Sequence, residues 1–73
     1  MTTYHVNLPD TAKEIDAPSA SKQFIKLYKM RDSLWARGIE AEVVDGRRLH
    51  QYPGYICTHY MTNPLGILCL IRR

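Results

Sequence analysis

Apolar and polar residues alternate with a period of two at the start of the chain. Tyr4, Val6 and Leu8 alternate with Thr3, His5 and Asn7, which predicts a half-buried strand over Thr3–Leu8. Pro9-Asp10 ends it, and Thr11 to Ala17 reads as a polar connection anchored by Ile15. From Ser19 the period changes. At about 100° per residue, Ala20, Phe24, Leu27, Tyr28, Leu34 and Trp35 fall on one face, and Lys22, Lys26, Lys29, Ser33 and Arg37 on the opposite one. This predicts a helix over Ser19–Arg37. Asp16 or Ser19 can cap it, and Pro18 suits its first turn. Gly38 sits where a left-handed C-cap belongs, with Arg37 in the favourable last turn. Phe24, Leu27 and Leu34 are expected to be buried on a sheet.

Strand patterns follow the helix. Ile39, Ala41 and Val43 alternate with Glu40 and Glu42, a strand with one wet face. Asp45-Gly46 signals a hairpin, with Arg47–Tyr52 as the returning strand; a three-residue loop pairing Val43 with Leu49 matches side chains best. Pro53-Gly54 breaks the chain. Tyr55–Met61 reads as a strand, Thr62-Asn63-Pro64 as a turn, and Gly66–Arg72 as a last strand. Ile67 to Ile71 is continuously apolar, so that strand is either central and covered on both faces, or turns one face to another molecule. The expected architecture is one small α+β domain over residues 1–73, in the order β-α-β-β-β-β. Its two layers are one amphipathic helix and a mainly antiparallel sheet of about five strands. One helix covers only part of such a sheet. The other face is expected to be polar, or to be covered by a partner or a second copy.

Composition narrows the function classes. The chain has 73 residues, of which 45% are hydrophobic and 23% charged, a globular balance. A chain this short has no room for a deep pocketed core, which argues against an enzyme with its own cofactor domain. No apolar run has the length of a membrane span. The start lacks a basic and apolar leader, so a cytoplasmic location is expected. Ten Lys and Arg against seven Asp and Glu give a net charge of +3, which permits nucleic acid or an acidic protein face as partner. Two cysteines are too few for a disulfide scaffold.

Cysteine and histidine supply the candidate reactive groups. Cys57-Thr58-His59 places thiol and imidazole on one strand face. With a three-residue loop at Thr62–Pro64, Cys57 would lie opposite Cys69, with His50 or His5 as a further ligand. A zinc knuckle is absent, however, and the expected reading is two buried free thiols, no metal and no cofactor. Cys57 beside His59 or His50 lacks an orienting third group, and no helix N-terminus follows either cysteine. No hydrolase, phosphate-loop or dinucleotide motif is present, so the chain is expected not to be an enzyme.

Binding residues are more numerous. Lys22, Lys26 and Lys29 make one stripe, Arg47 and Arg48 sit together, Arg72-Arg73 end the chain, and Tyr52, Tyr55 and Tyr60 lie among the later strands. Cations interleaved with rings suit single-stranded nucleic acid, the alternative reading; the aromatic motif of RNA-recognition sheets is missing, and any amphipathic helix turns lysines to water. Arg31 is unusual, because it falls at the centre of the apolar helix face, where a buried charge is costly. Either its stem runs along apolar surface to a solvated head, or Tyr28, Arg31 and Trp35 form a binding patch, residue types that dominate interface hot spots. The sheet face bearing Tyr55 and Tyr60, rimmed by Arg47 and Arg48, is the other candidate surface. No family is identified by motif. In general form, a short motif-free chain with one helix and a compact sheet, it resembles the small accessory proteins of bacteriophages and mobile elements, including anti-CRISPR-type inhibitors. That resemblance implies stoichiometric binding to a larger machine, whose action it modulates or inhibits without turnover.

Overall fold

The computed structural model describes residues 8–16, 19–63 and 66–73. The strand expected over Thr3–Leu8 therefore falls, apart from Leu8, outside the described residues, as do Pro18 and Pro64. The elements are β1 (Lys13–Glu14), α1 (Ala20–Ala36), β2 (Ala41–Asp45), a 3-10 helix (Gly46–Gln51), β3 (Ile56–Asn63) and β4 (Gly66–Arg72). The sheet has four strands among the described residues, in the order β1-β3-β4-β2. Only the β1–β3 pairing is parallel. This is the expected two-layer α+β class, with four strands in place of about five.

α1 is bounded by local chemistry. Ser19 caps it, its hydroxyl accepting from the Lys22 N–H at 3.3 Å, which satisfies one donor that the first turn leaves unpaired. At the far end Gly38 has φ +78°. Its N–H donates to the Trp35 carbonyl and the Ile39 N–H to the Leu34 carbonyl, the paired bonds of a Schellman stop. The chain reverses at once into β2.

The expected strand at Arg47–Tyr52 is instead the 3-10 helix. Asp45 stays extended (φ −68°, ψ 136°) and its carboxylate accepts from the Arg47 N–H at 2.9 Å. Both favoured two-residue hairpin turns need positive φ at the first turn residue, whereas Asp45 keeps φ −68° and acts as a helix cap. With three residues per turn, Leu49 and Tyr52 line up on one side, and both pack against the sheet. β1 is the second difference: within the segment read as a connection, Lys13 and Glu14 pair with His59 and Tyr60. Ile15 does anchor it, packing on the helix-side core.

Each sheet face has its own core. Leu27, Ala41, Met61 and Leu70 form the cluster under the helix, joined by Ile15, Met30, Leu34, Val43 and Leu68. Val44, Cys57, Cys69 and Ile71 form the cluster on the opposite face, where Leu8, Ala12, Leu49, Tyr52, Tyr55 and Tyr60 pack against it. β4 is thus central and covered on both faces, one of the two outcomes its apolar run allowed. The expectation that the second face is polar or covered by a partner is corrected. The 3-10 helix, Tyr55 and the segment around Leu8–Ala12 cover it from within the chain.

Candidate protein-binding site on the helix

α1 carries two apolar edges where the sequence reading gave it one. Leu27 is fully buried, and Met30 and Leu34 pack beside it. Phe24, Tyr28 and Trp35 lie roughly 90° around the helix from that edge, at about 100° per residue. They remain 41%, 40% and 48% exposed. The expected burial of Phe24 is therefore corrected. The helix meets the sheet along the Leu27–Leu34 edge, which leaves Phe24 on the neighbouring edge facing solvent.

These exposed rings form one continuous stripe. Phe24 stacks on Tyr28, with ring centroids 6.1 Å apart and planes 23° apart. The Arg31 guanidinium lies 4.7 Å from the Tyr28 ring centre and 4.2 Å from that of Trp35. Such contacts attract the cation to the ring face and favour this arrangement of the side chains. Arg31 also donates to Asp32 at 2.9 Å. The Trp35 indole N–H donates to the Ala41 carbonyl at 2.8 Å. Trp35 is thereby pinned at the start of β2. Beside it runs an open groove lined by Trp35, Gly38, Ile39, Glu40, Ala41, Glu42 and Tyr55. Arg31 follows neither a simple burial nor a simple escape to water. Its head is shared between two rings and a carboxylate.

The other sequence-selected residues sit elsewhere. Tyr55 and Tyr60 are half-buried in the second-face cluster. The Tyr55 hydroxyl donates to Glu40 at 3.1 Å, which holds its proton and raises its pKa. Arg47 and Arg48 are exposed on the 3-10 helix that covers that face. Arg47 pairs with Asp45 at 2.8 Å and keeps that carboxyl below the usual carboxylate range. Lys22, Lys26 and Lys29 are exposed on the far side of α1, and Lys26 donates to the Asp16 carbonyl at 3.3 Å. The structure brings Tyr28, Arg31 and Trp35 together and leaves Arg47, Arg48 and Tyr60 on other surfaces, while Tyr55 lines the groove beside Trp35. Phe24 is the stripe member missed in sequence. Its spacing of four from Tyr28 was the available signal.

The thiol–imidazole cluster does not assemble as expected. The register shifts between Cys57, opposite Ile71, and His59, opposite Leu70. Thr58 is the extra residue of this bulge, and its hydroxyl donates to the Leu70 carbonyl at 3.4 Å. After the bulge the side-chain alternation is reset. His59 lines a cavity under the helix with Met30, Leu34 and Thr58, while Cys57 belongs to the opposite face. Burial and the nearby Lys13 lower the His59 pKa. Cys57 is not opposite Cys69, which pairs with Tyr60. Both thiols are nevertheless buried and unbridged in one cluster. The Cys57 thiol donates to the His59 carbonyl at 3.4 Å, and the neighbouring thiols hold the Cys57 pKa below the ordinary thiol value and push that of Cys69 up. Among the described residues no group of three or more His, Cys, Asp or Glu is placed to hold a metal ion. No helix there is long and apolar enough to cross a membrane. Comparison with known protein families, curated proteins and solved structures gives no match.

Proposed function

We propose that this chain is a non-catalytic binding protein that acts by stoichiometric contact with a larger macromolecular assembly, through the stripe Phe24, Tyr28, Arg31 and Trp35. One observation carries the reading. Three large rings stay about half exposed on a helix whose neighbouring edge is well packed, and one guanidinium packs on two of them. Tryptophan, tyrosine and arginine supply most hot-spot energy, and rings fixed before binding lose little freedom on docking. A small rigid surface inhibits a machine by occupying the site its substrate or subunit needs. No reacting group is required.

The test is capture from a bacterial lysate on immobilised protein, with and without nuclease, followed by affinity measurement on the recovered partner. Tyr28→Ala and Arg31→Glu serve as matched baits, with folding checked by circular dichroism. The expected result is a nuclease-resistant protein partner whose binding weakens by more than about 2 kcal/mol in each variant. Capture abolished by nuclease and by neutralising Lys22, Lys26 and Lys29 would transfer the function to nucleic acid. Folded variants that bind the partner like wild type would refute the stripe as the interface.

A further inference from the structure

We propose that the cleft between α1, the start of β3 and the end of β4 is a binding site for a small aromatic acid that carries both a carboxylate and a hydroxyl. Its floor is apolar, made by Met30, Leu34 and Leu70, and its rim is polar, made by Ser33, Arg37, Thr58, His59 and Arg72. The cleft lies on the flank of α1 turned away from the stripe. At about 100° per residue, Ser33 and Arg37 fall on one side of the packed Leu27–Leu34 edge, and Phe24, Tyr28 and Trp35 on the other. The site therefore stands or falls separately from the stripe. Two features of the chain create it. The bulge at Thr58 turns His59 to the helix side of the sheet. Arg72 points to the same side, two residues after Leu70 in the central strand. Ile56, paired with Arg72, shares that side and stays 58% exposed, so α1 stops short of covering this end of the sheet.

Three kinds of group in the cleft select the ligand. Arg37 and Arg72 supply charge. The ion pairs among the described residues join Arg31 to Asp32, Arg47 to Asp45 and Arg73 to Glu40. The side chains of Arg37 and Arg72 have no acidic partner among those residues, and no Asp or Glu there lines the cleft. A guanidinium fork matches a carboxylate in shape and charge. His59 supplies an acceptor. The Thr58 hydroxyl has one proton and donates it to the Leu70 carbonyl at 3.4 Å. In its 3.1 Å contact with His59, the Thr58 oxygen therefore accepts and Nδ1 donates. Burial, with nearby Lys13, lowers the His59 pKa and keeps the imidazole neutral. Nε2 is left with a bare lone pair and no hydrogen bond among the described residues. Such an atom repels a carboxylate oxygen and accepts from a hydroxyl, so the ligand needs both groups. Met30, Leu34 and Leu70 supply a surface for an apolar body. The cleft holds about 250 Å³, below the roughly 300 Å³ at which sites for drug-sized molecules begin, which limits that body to a single ring.

Titration of the full chain with 3- and 4-hydroxybenzoate, followed through the NMR shifts of the His59 ring and the Leu70 methyls, tests this. The expected result is saturable binding of at least one isomer, with shifts centred on those two residues. Benzoate lacks the hydroxyl and should bind roughly fivefold more weakly. Phenol lacks the carboxylate and should bind at least about tenfold more weakly. Arg37→Gln and Arg72→Gln should each weaken binding of the acid by at least about fivefold and leave that of phenol unchanged. His59→Phe should abolish the preference for hydroxybenzoate over benzoate. Arg48→Gln, on the 3-10 helix across the sheet, should change nothing. Circular dichroism checks each fold, and the comparison of ligands on the wild-type chain decides the matter even where a variant fails to fold. The proposal is overturned if neither isomer saturates the chain up to its solubility limit, or if benzoate or phenol binds as tightly as both. Inorganic phosphate binding as tightly as the acids also overturns it, as do folded arginine variants that bind like wild type.

Discussion

The two edges of α1 share one spacing, differ in residue type, and sit in different surroundings. Leu27, Met30 and Leu34 repeat at three and four residues, and so do Phe24, Tyr28, Arg31 and Trp35. The first set fills the space between helix and sheet, with Leu27 fully excluded from water. The second stacks on itself, ring on ring and cation on ring, and keeps about half of each ring in solvent. A helix laid across a twisted sheet touches it along one line. Apolar residues beyond that line are held by their neighbours on the helix, not by the core. The periodicity that marks a core therefore also sets out an exposed stripe, and the tertiary contact line separates them.

The largest expected effect is on the packed edge. Leu27→Ala should cost about 2–5 kcal/mol, because its side chain is fully buried and the cavity it leaves cannot collapse against a sheet. Phe24→Ala should cost under about 1 kcal/mol, as its ring loses one stacking contact and keeps its solvent. Urea unfolding of both variants checks the contrast, and equal losses would erase the difference between the edges. Trp35→Phe comes next. It keeps a ring beside Arg31 and removes the donor to the Ala41 carbonyl, so about 1 kcal/mol should be lost. A loss as large as that of Leu27→Ala would mean that Trp35 belongs to the core.

The smallest expected effect concerns Asp45, the cap of the 3-10 helix. Its folded pKa lies below the unfolded value because Arg47 donates to it. Its contribution is therefore complete above the unfolded value and fades as pH falls through the folded one. Stability of wild type and Asp45→Ala, compared from pH 7 down to about 2, should converge on the acid side. A gap that stays constant over that range would show that the carboxylate charge adds nothing.

Legibility in the sequence followed how local each determinant is. The helix, its Ser19 cap and its Gly38 stop were readable because each is settled within a few residues. The central position of β4 was readable from the unbroken run Ile67–Ile71. The 3-10 helix was not, since Asp45-Gly46 suits a hairpin turn as well as a cap, and what decides is whether Leu49 and Tyr52 find a sheet face to cover. The bulge at Thr58 left no trace in composition, yet it sends Cys57 and His59 to opposite faces and dissolves the expected cluster. At the candidate site, Tyr28, Arg31 and Trp35 were found through the misfit of a charge on an apolar face. Phe24 was placed in the core because a helical wheel cannot tell where the sheet ends.

The most direct test of the two-edge account uses Trp35, the single tryptophan of the chain. Its fluorescence quenching by acrylamide is measured in the free protein and in the saturated complex with the captured partner. The account predicts ready quenching with solvent-shifted emission in the free chain, and strong protection in the complex. Protection already in the free chain would place Trp35 in the core. Equal quenching in both states would show that the partner binds elsewhere, and either result would contradict the claim that this edge of the helix is the docking surface.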